Sequence, residues 1–131
     1  MENLLINEAL RILGRVETNT EFYFGATSCA LISDSGKVYT GLSVNITCGL
    51  GWCSEQAAIA QMVSNGETRI KMLVAFSDVT GTIAPCGKCR EIMVQIDKDN
   101  TNTKIVLPDG KVALLKDLLP WAWQVSTLEY K

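Results

Sequence analysis

Two short stretches carry the residues able to do chemistry: Cys53-Ser54-Glu55 and Pro85-Cys86-Gly87-Lys88-Cys89-Arg90. A catalytic zinc ion takes three protein ligands and leaves a fourth position for water. Cys86 and Cys89 are three residues apart, so on one helical turn both sulfurs face the same point. Pro85 suits the start of that helix, where a missing N–H costs little. Cys53 stands where a second helix would open, over residues 53–64, and a thiolate at a helix N-terminus is favoured by the dipole and the free N–H groups. Cys53, Cys86 and Cys89 are therefore the candidate Zn²⁺ ligands. Glu55, two residues past Cys53, is not needed as a fourth ligand and is the candidate for moving protons between an activated water and a substrate.

Three thiolates on one Zn²⁺ leave the site anionic, which weakens the metal as an acid. Arg90, next to Cys89, is the candidate to offset this by hydrogen-bonding a ligand sulfur. The chain has no histidine, so no mechanism can use a histidine base or ligand from it. Two plainer readings stand beside the catalytic one. Cys48 could join the other three cysteines in a closed, non-catalytic structural zinc module. The Cys-x-x-Cys pair alone could be a redox dithiol, although the usual strand–turn context is missing.

A chain of 131 residues predicts one domain, residues 1–131, with room for one good core. Hydrophobic residues make up 47% and charged residues 20%, which leaves no disordered tract. The formal charge of −2 argues against a polyanion-binding surface, so no nucleic acid partner is expected and the substrate should be a free small molecule. No apolar run approaches membrane-spanning length, and the acids Glu2 and Glu8 interrupt any leader-like pattern. An odd count of five cysteines, three of them claimed by metal, points to a reducing cytoplasm. Cys29, in an apolar run, reads as a buried small hydrophobe.

The elements that must position these residues follow from periodicity. Residues 3–16 have helical spacing. Phe22-Tyr23-Phe24-Gly25 reads equally as core or as a pocket wall, since Gly25 would permit close backbone approach. Residues 26–33 and 37–44 flank Asp34-Ser35-Gly36 and predict a hairpin. Residues 45–52, with two glycines, predict an irregular loop lining the site. The helix from Cys53 should stop at Asn65-Gly66. Residues 70–76 read as a central strand buried on both faces, and 77–84 as a loop. After the Cys86 helix, residues 104–107 and 111–115 predict strands around Pro108-Asp109-Gly110. Lys116 to Pro120 reads as a short helical turn, and Trp121 and Trp123 as packing or as an interface. The order α-β-β-α-β-α-β-β predicts an α/β fold with a mixed five-stranded sheet and helices on its faces. Both cysteine-bearing helix starts follow strands, so they should share one edge of the sheet.

With these residues in hand, the chain resembles the small homotetrameric cytidine deaminases and the related blasticidin S deaminases. The likeness rests on Cys53-x-Glu55 and on Pro85-Cys86-Gly87-x-Cys89-Arg90, the three-cysteine form of the zinc deaminase signature. It runs from the Gly36-Lys37-Val38-Tyr39-Thr40-Gly41 strand to Asp117-Leu118-Leu119-Pro120. The resemblance implies a three-layer cytidine deaminase-like fold and hydrolytic deamination at C4 of a cytosine, with Glu55 as proton shuttle. It implies that backbone around Ser54 and Ala84 holds the pyrimidine, that Phe24 corresponds to an aromatic lining the pocket, and that the chain forms a homotetramer. Ser43-Val44-Asn45 stands where cytidine deaminases usually carry Asn-x-Glu to grip the ribose, which moves the likeness toward blasticidin S deaminases or toward another cytosine-bearing substrate. Cys53-Ser54-Glu55-Gln56 replaces the usual Cys-Ala-Glu-Arg, and Cys89-Arg90-Glu91 the usual Cys-Arg-Gln.

Overall fold

The computed structural model describes residues 1–123. Residues 124–131 of the domain expected over 1–131 lie outside the described part. The elements in order are α1 (Glu2–Ile12), β1 (Val16–Glu17), β2 (Tyr23–Ser33), β3 (Val38–Asn45), α2 (Ser54–Ser64), β4 (Ile70–Ser77), β5 (Gly81–Ile83), α3 (Gly87–Ile96), β6 (Lys104–Val106), β7 (Val112–Leu114) and α4 (Leu115–Leu118).

The five strands expected from the sequence form one continuous path, β3-β2-β4-β6-β7. Two short pieces enlarge the sheet to seven strands: β1 beside the start of β2, and β5 beside the end of β4. Neither carries enough residues to give a period-two pattern: β5 lies in the stretch read as a loop, and β1 takes Val16 from the end of the stretch read as helix. The sheet is mixed. β2 is antiparallel to β3 and β4, while β4 and β6 are parallel.

β2 explains the layering. Alternate residues of a strand point to opposite faces. Cys29 and Leu31 join a core with Ala58, Ile59 and Met62 of α2 and Met93 and Val94 of α3. Ala30 and Ile32 join a second core with Leu5 and Ala9 of α1. The result is three layers: α1 on one face, the sheet, and α2 with α3 on the other. Ser28 ties the layers further, its buried hydroxyl donating to the Ala9 carbonyl at 2.7 Å.

α1 is shorter than the periodicity suggests. It ends at Ile12, and the chain turns at Gly14, whose N–H donates to the Gly25 carbonyl at 3.0 Å. A Cβ on Gly25 would stand 2.0 Å from the Gly14 carbonyl oxygen. The close approach that Gly25 permits is therefore to this turn rather than to a pocket. Val16 leaves the helix and pairs with Phe24 in β1. At the other end, Trp121 is 83% exposed and packs in no core. The Trp123 backbone N–H donates to Glu91 Oε1 at 3.1 Å.

Candidate active site

Strand direction gathers the site. β3 and β4 both run antiparallel to β2, which lies between them, so their carboxyl ends lie at the same edge. The loop from β3 delivers Cys53 there. The β4–β5 hairpin turns the chain back, pairing Ile83 with Ala75, and delivers Cys86 two residues after Ala84. Cys53 is the N-cap residue of α2, and Cys86 the N-cap residue of α3. Two helix N-termini with their free N–H groups thus carry the sulfurs.

The Cys53, Cys86 and Cys89 sulfurs lie within 4.8 Å of one another, the single such cluster of metal-binding groups among the described residues. Cys53 Sγ is 3.6 Å from Cys86 Sγ, and Cys86 Sγ is 3.4 Å from Cys89 Sγ. A tetrahedral zinc with bonds of about 2.3 Å needs sulfurs about 3.8 Å apart, so the donor set fits that ion. The electrostatics agree. Burial pushes the Cys89 thiol far up, and the charge of Glu55 adds to the shift. Burial, with the hydrogen bond to Cys86, also raises Cys53. Burial opposes ionisation of Cys86 too, but hydrogen bonds from the Cys89 backbone and the neighbouring thiols outweigh it, and its pKa falls. Such a set, half-buried beside a carboxylate, is completed by a divalent cation that stabilises the thiolates. Cys48 stands apart, on an exposed loop at φ 62°, and is not a member of the cluster. The closed four-thiolate module has no support.

A cavity of about 520 Å³ opens beside the sulfurs. Glu55, 4% exposed, lines it together with Cys53 and Cys86. Ser43, Asn45 and Ala84, all expected at the site, line it as well. Ser43 is partly committed already, its oxygen accepting from the Thr27 N–H at 3.0 Å. Ser54 is fully buried behind Glu55, and its hydroxyl donates to Glu55 Oε1 at 2.7 Å.

Two expected residues sit elsewhere. Phe24 does not line the cavity; its ring stacks on Phe22 with centroids 5.5 Å apart. Tyr23 takes the wall position, its ring held under the Arg15 guanidinium at 4.9 Å. Arg15 in turn pairs with Asp78 at 3.3 Å. Alternation along β2 accounts for the two ring positions: Tyr23 shares the parity of Cys29 and Leu31, toward α2 and α3, and Phe24 that of Ala30 and Ile32, and the two-residue register shift between Phe24 and Ser28 keeps that parity. Arg90 makes no recorded contact with a sulfur. Its Nε donates to the Pro85 carbonyl and its second nitrogen to the Leu118 carbonyl, each at 2.8 Å. It fastens the start of α3 to α4. Thr27 and Lys88 also line the cavity and were not expected to, whereas Trp52 lines it as part of the 45–52 loop expected there. Trp52 had a signal, lying next to Cys53, but its orientation comes from a bridge to Val44 with N–H···O distances of 3.0 and 3.1 Å.

Comparison with known proteins gives a consistent result. Residues 2–104 match the family described as the cytidine and deoxycytidylate deaminase zinc-binding region. A cytidine deaminase of Sporosarcina psychrophila is 30% identical over 107 residues, covering 77% of this chain and 76% of that protein. One from Halalkalibacterium halodurans is 27% identical over 129 residues, covering 95% of this chain and 96% of its own. Among solved structures, the cytidine deaminase of Mycobacterium tuberculosis superposes with a TM-score of 0.77 at 28% identity, covering 93% of this chain and 96% of that one.

Proposed function

The chain belongs to the cytidine and deoxycytidylate deaminase family, and on that premise we propose that it hydrolyses the C4 amine of a free cytosine nucleoside or a close analogue, releasing ammonia. It is a zinc-dependent hydrolase of the cytosine C–N bond. The observation that carries the assignment is the meeting of three sulfurs within 4.8 Å and the Glu55 carboxylate at the inner end of one cavity.

Cys53, Cys86 and Cys89 hold the zinc in this reading. Zinc, when bound, supplies an activated water. Glu55 takes the proton that this water loses, passes it to ring N3, and then transfers a proton to the departing amine. The C4–N bond breaks, ammonia leaves, and a C4 carbonyl remains. The backbone at Ala84 and beside Ser54 holds the ring edge. Tyr23, Ser43 and Asn45 face the part of the substrate beyond the ring. Arg90 serves the site by fixing the start of α3 through the Pro85 carbonyl.

The homotetramer also belongs to this reading. Leu50 and Trp52, on the loop that ends at Cys53, are exposed apolar side chains beside the cavity, and Trp121 is another at the far end of the described chain. A cytoplasmic setting is supported by five free cysteines. Among the described residues no helix is long and apolar enough to cross a membrane.

Ultraviolet absorbance of the zinc-loaded protein with cytidine, deoxycytidine and blasticidin S in parallel tests the assignment, since loss of the amino group changes the ring absorbance. Turnover of the nucleosides is expected. Turnover of blasticidin S alone would give the outer end of the cavity, where Asn45 replaces an acid, a different guest. Silence on all three with zinc bound would overturn the substrate class.

A further inference from the structure

We propose that the Ser54 hydroxyl is a positioning group for Glu55, an inference that rests on Glu55 being the proton carrier. The hydroxyl donates to Glu55 Oε1 at 2.7 Å. Ser54 is 0% and Glu55 4% exposed, so water does not compete for this bond. A serine in the first turn of a helix ordinarily bonds nearby backbone or solvent. Here the recorded partner is the carboxylate of the next residue.

The geometry holds Ser54 itself in place. A Cβ on Gly41 of β3 would stand 2.5 Å from the Ser54 carbonyl oxygen and 2.4 Å from the Ala58 nitrogen. The backbone of α2 therefore rests directly on β3 at its first turn. One side of the helix is fixed by the sheet, and Cys53 at its cap is fixed by the sulfur cluster.

The consequence is a division between the two carboxylate oxygens. Oε1 is occupied by the Ser54 hydrogen, and the carboxylate plane is held. Oε2 is left to exchange the proton with water and with the ring. A glutamate has three rotatable side-chain bonds, and small displacements of a reacting group are costly. Without the hydroxyl, the carboxylate would spend part of its time turned away from the substrate. The serine should therefore raise turnover and leave substrate binding nearly unchanged.

The test uses the zinc-loaded full chain in four variants: Ser54→Ala, Ser54→Thr, Glu55→Gln, and Ser54→Ala combined with Glu55→Gln. kcat, KM, zinc content and Tm are measured for each. Ser54→Ala should lower kcat about tenfold, the worth of one hydrogen bond to a charged group. KM should stay within about twofold, since ground-state binding is not involved. Zinc content and Tm should hold. Ser54→Thr, which keeps the hydroxyl, should restore most of the loss. In the Glu55→Gln background, whose residual turnover is read at high enzyme concentration, Ser54→Ala should cost little further, because the group it positions is gone. Wild-type kcat in Ser54→Ala would overturn the proposal. So would the same fractional loss in both backgrounds, or a loss that tracks zinc or Tm. Should Ser54→Thr fail to fold, the kcat–KM split and the two backgrounds decide. Failure of the underlying reading looks different: Glu55→Gln would then keep most of its turnover.

Discussion

The two ends of the cavity are built by different means. At the inner end, every group stands on a helix start: Cys53, Ser54 and Glu55 on α2, Cys86 and Cys89 on α3. Glu55, Ser54 and Cys89 are buried there, and sheet, helix backbone and sulfur cluster hold the arrangement. At the outer end, the wall is Tyr23 at the start of β2 and the loop from Asn45 to Trp52. It is largely exposed, and its loop is tied back by the Val44–Trp52 bridge. The difference teaches that the reaction is fixed by buried, short-range geometry, while choice of substrate is left to a surface that can vary without disturbing it.

The largest effects should come from breaking the inner end. Cys89→Ser should abolish zinc binding at stoichiometric metal and remove turnover; elemental analysis and the absorbance assay check both. Its thiol is buried, so a marked drop in Tm should follow as well. Glu55→Gln should lower kcat by about 10²–10⁴-fold, the usual range for a general acid–base group, with zinc retained. Activity near wild type would remove Glu55 from the mechanism.

The outer end should answer differently. Tyr23→Ala should raise KM on the order of tenfold while kcat changes little, as loss of uniform binding does. Phe24→Ala, one residue on, should leave KM nearly unchanged and lower Tm through the lost stack on Phe22. Steady-state kinetics with cytidine on this pair sharpen the boundary between wall and core. The reverse outcome would mean that β2 presents the other face.

A control lies away from both ends. Hydrogen bonds from Ser35 and from Tyr39, the latter at 2.6 Å, hold the Glu67 carboxyl down at about 2. An unfolded glutamate titrates near about 4.3. A depressed folded value stabilises above that pH, and the contribution is lost as pH falls toward about 2. Tm of the wild type should therefore fall more steeply between pH 5 and pH 2 than Tm of Glu67→Gln, with turnover at neutral pH equal in the two.

The smallest effect is expected from Cys48→Ser, whose thiol is exposed and outside the sulfur cluster. Zinc stoichiometry, Tm and kcat should all match the wild type. Loss of fold would revive a structural role for that cysteine.

The inner end was legible in the chain because its signals are local. A three-residue spacing places Cys86 and Cys89 on one turn, and a Cys-x-Glu pair opens the helix before it. The five main strands were legible too, since apolar runs such as Ile70 to Phe76 are long enough to speak for themselves. The outer wall was not. Phe22, Tyr23 and Phe24 are adjacent aromatics, so residue type alone does not say which ring meets the cavity. Arg90 was expected at sulfur and bonds two carbonyls, one of them 28 residues away in α4. The sequence assigned the Ser54 region a backbone role only; the burial of its hydroxyl against Glu55 is visible only in three dimensions.

By itself, the sequence determined the metal-binding chemistry, the helices that carry it and the class of reaction, because ligand spacing and helix periodicity act over a few residues. Tertiary structure alone decided how closely the three sulfurs approach at that sheet edge, which ring of the 22–24 run faces the cavity, and how the proton-carrying carboxylate is held. Those depend on strand direction, register and burial. They are set by contacts between residues far apart in the chain, whose types carry no record of their partners.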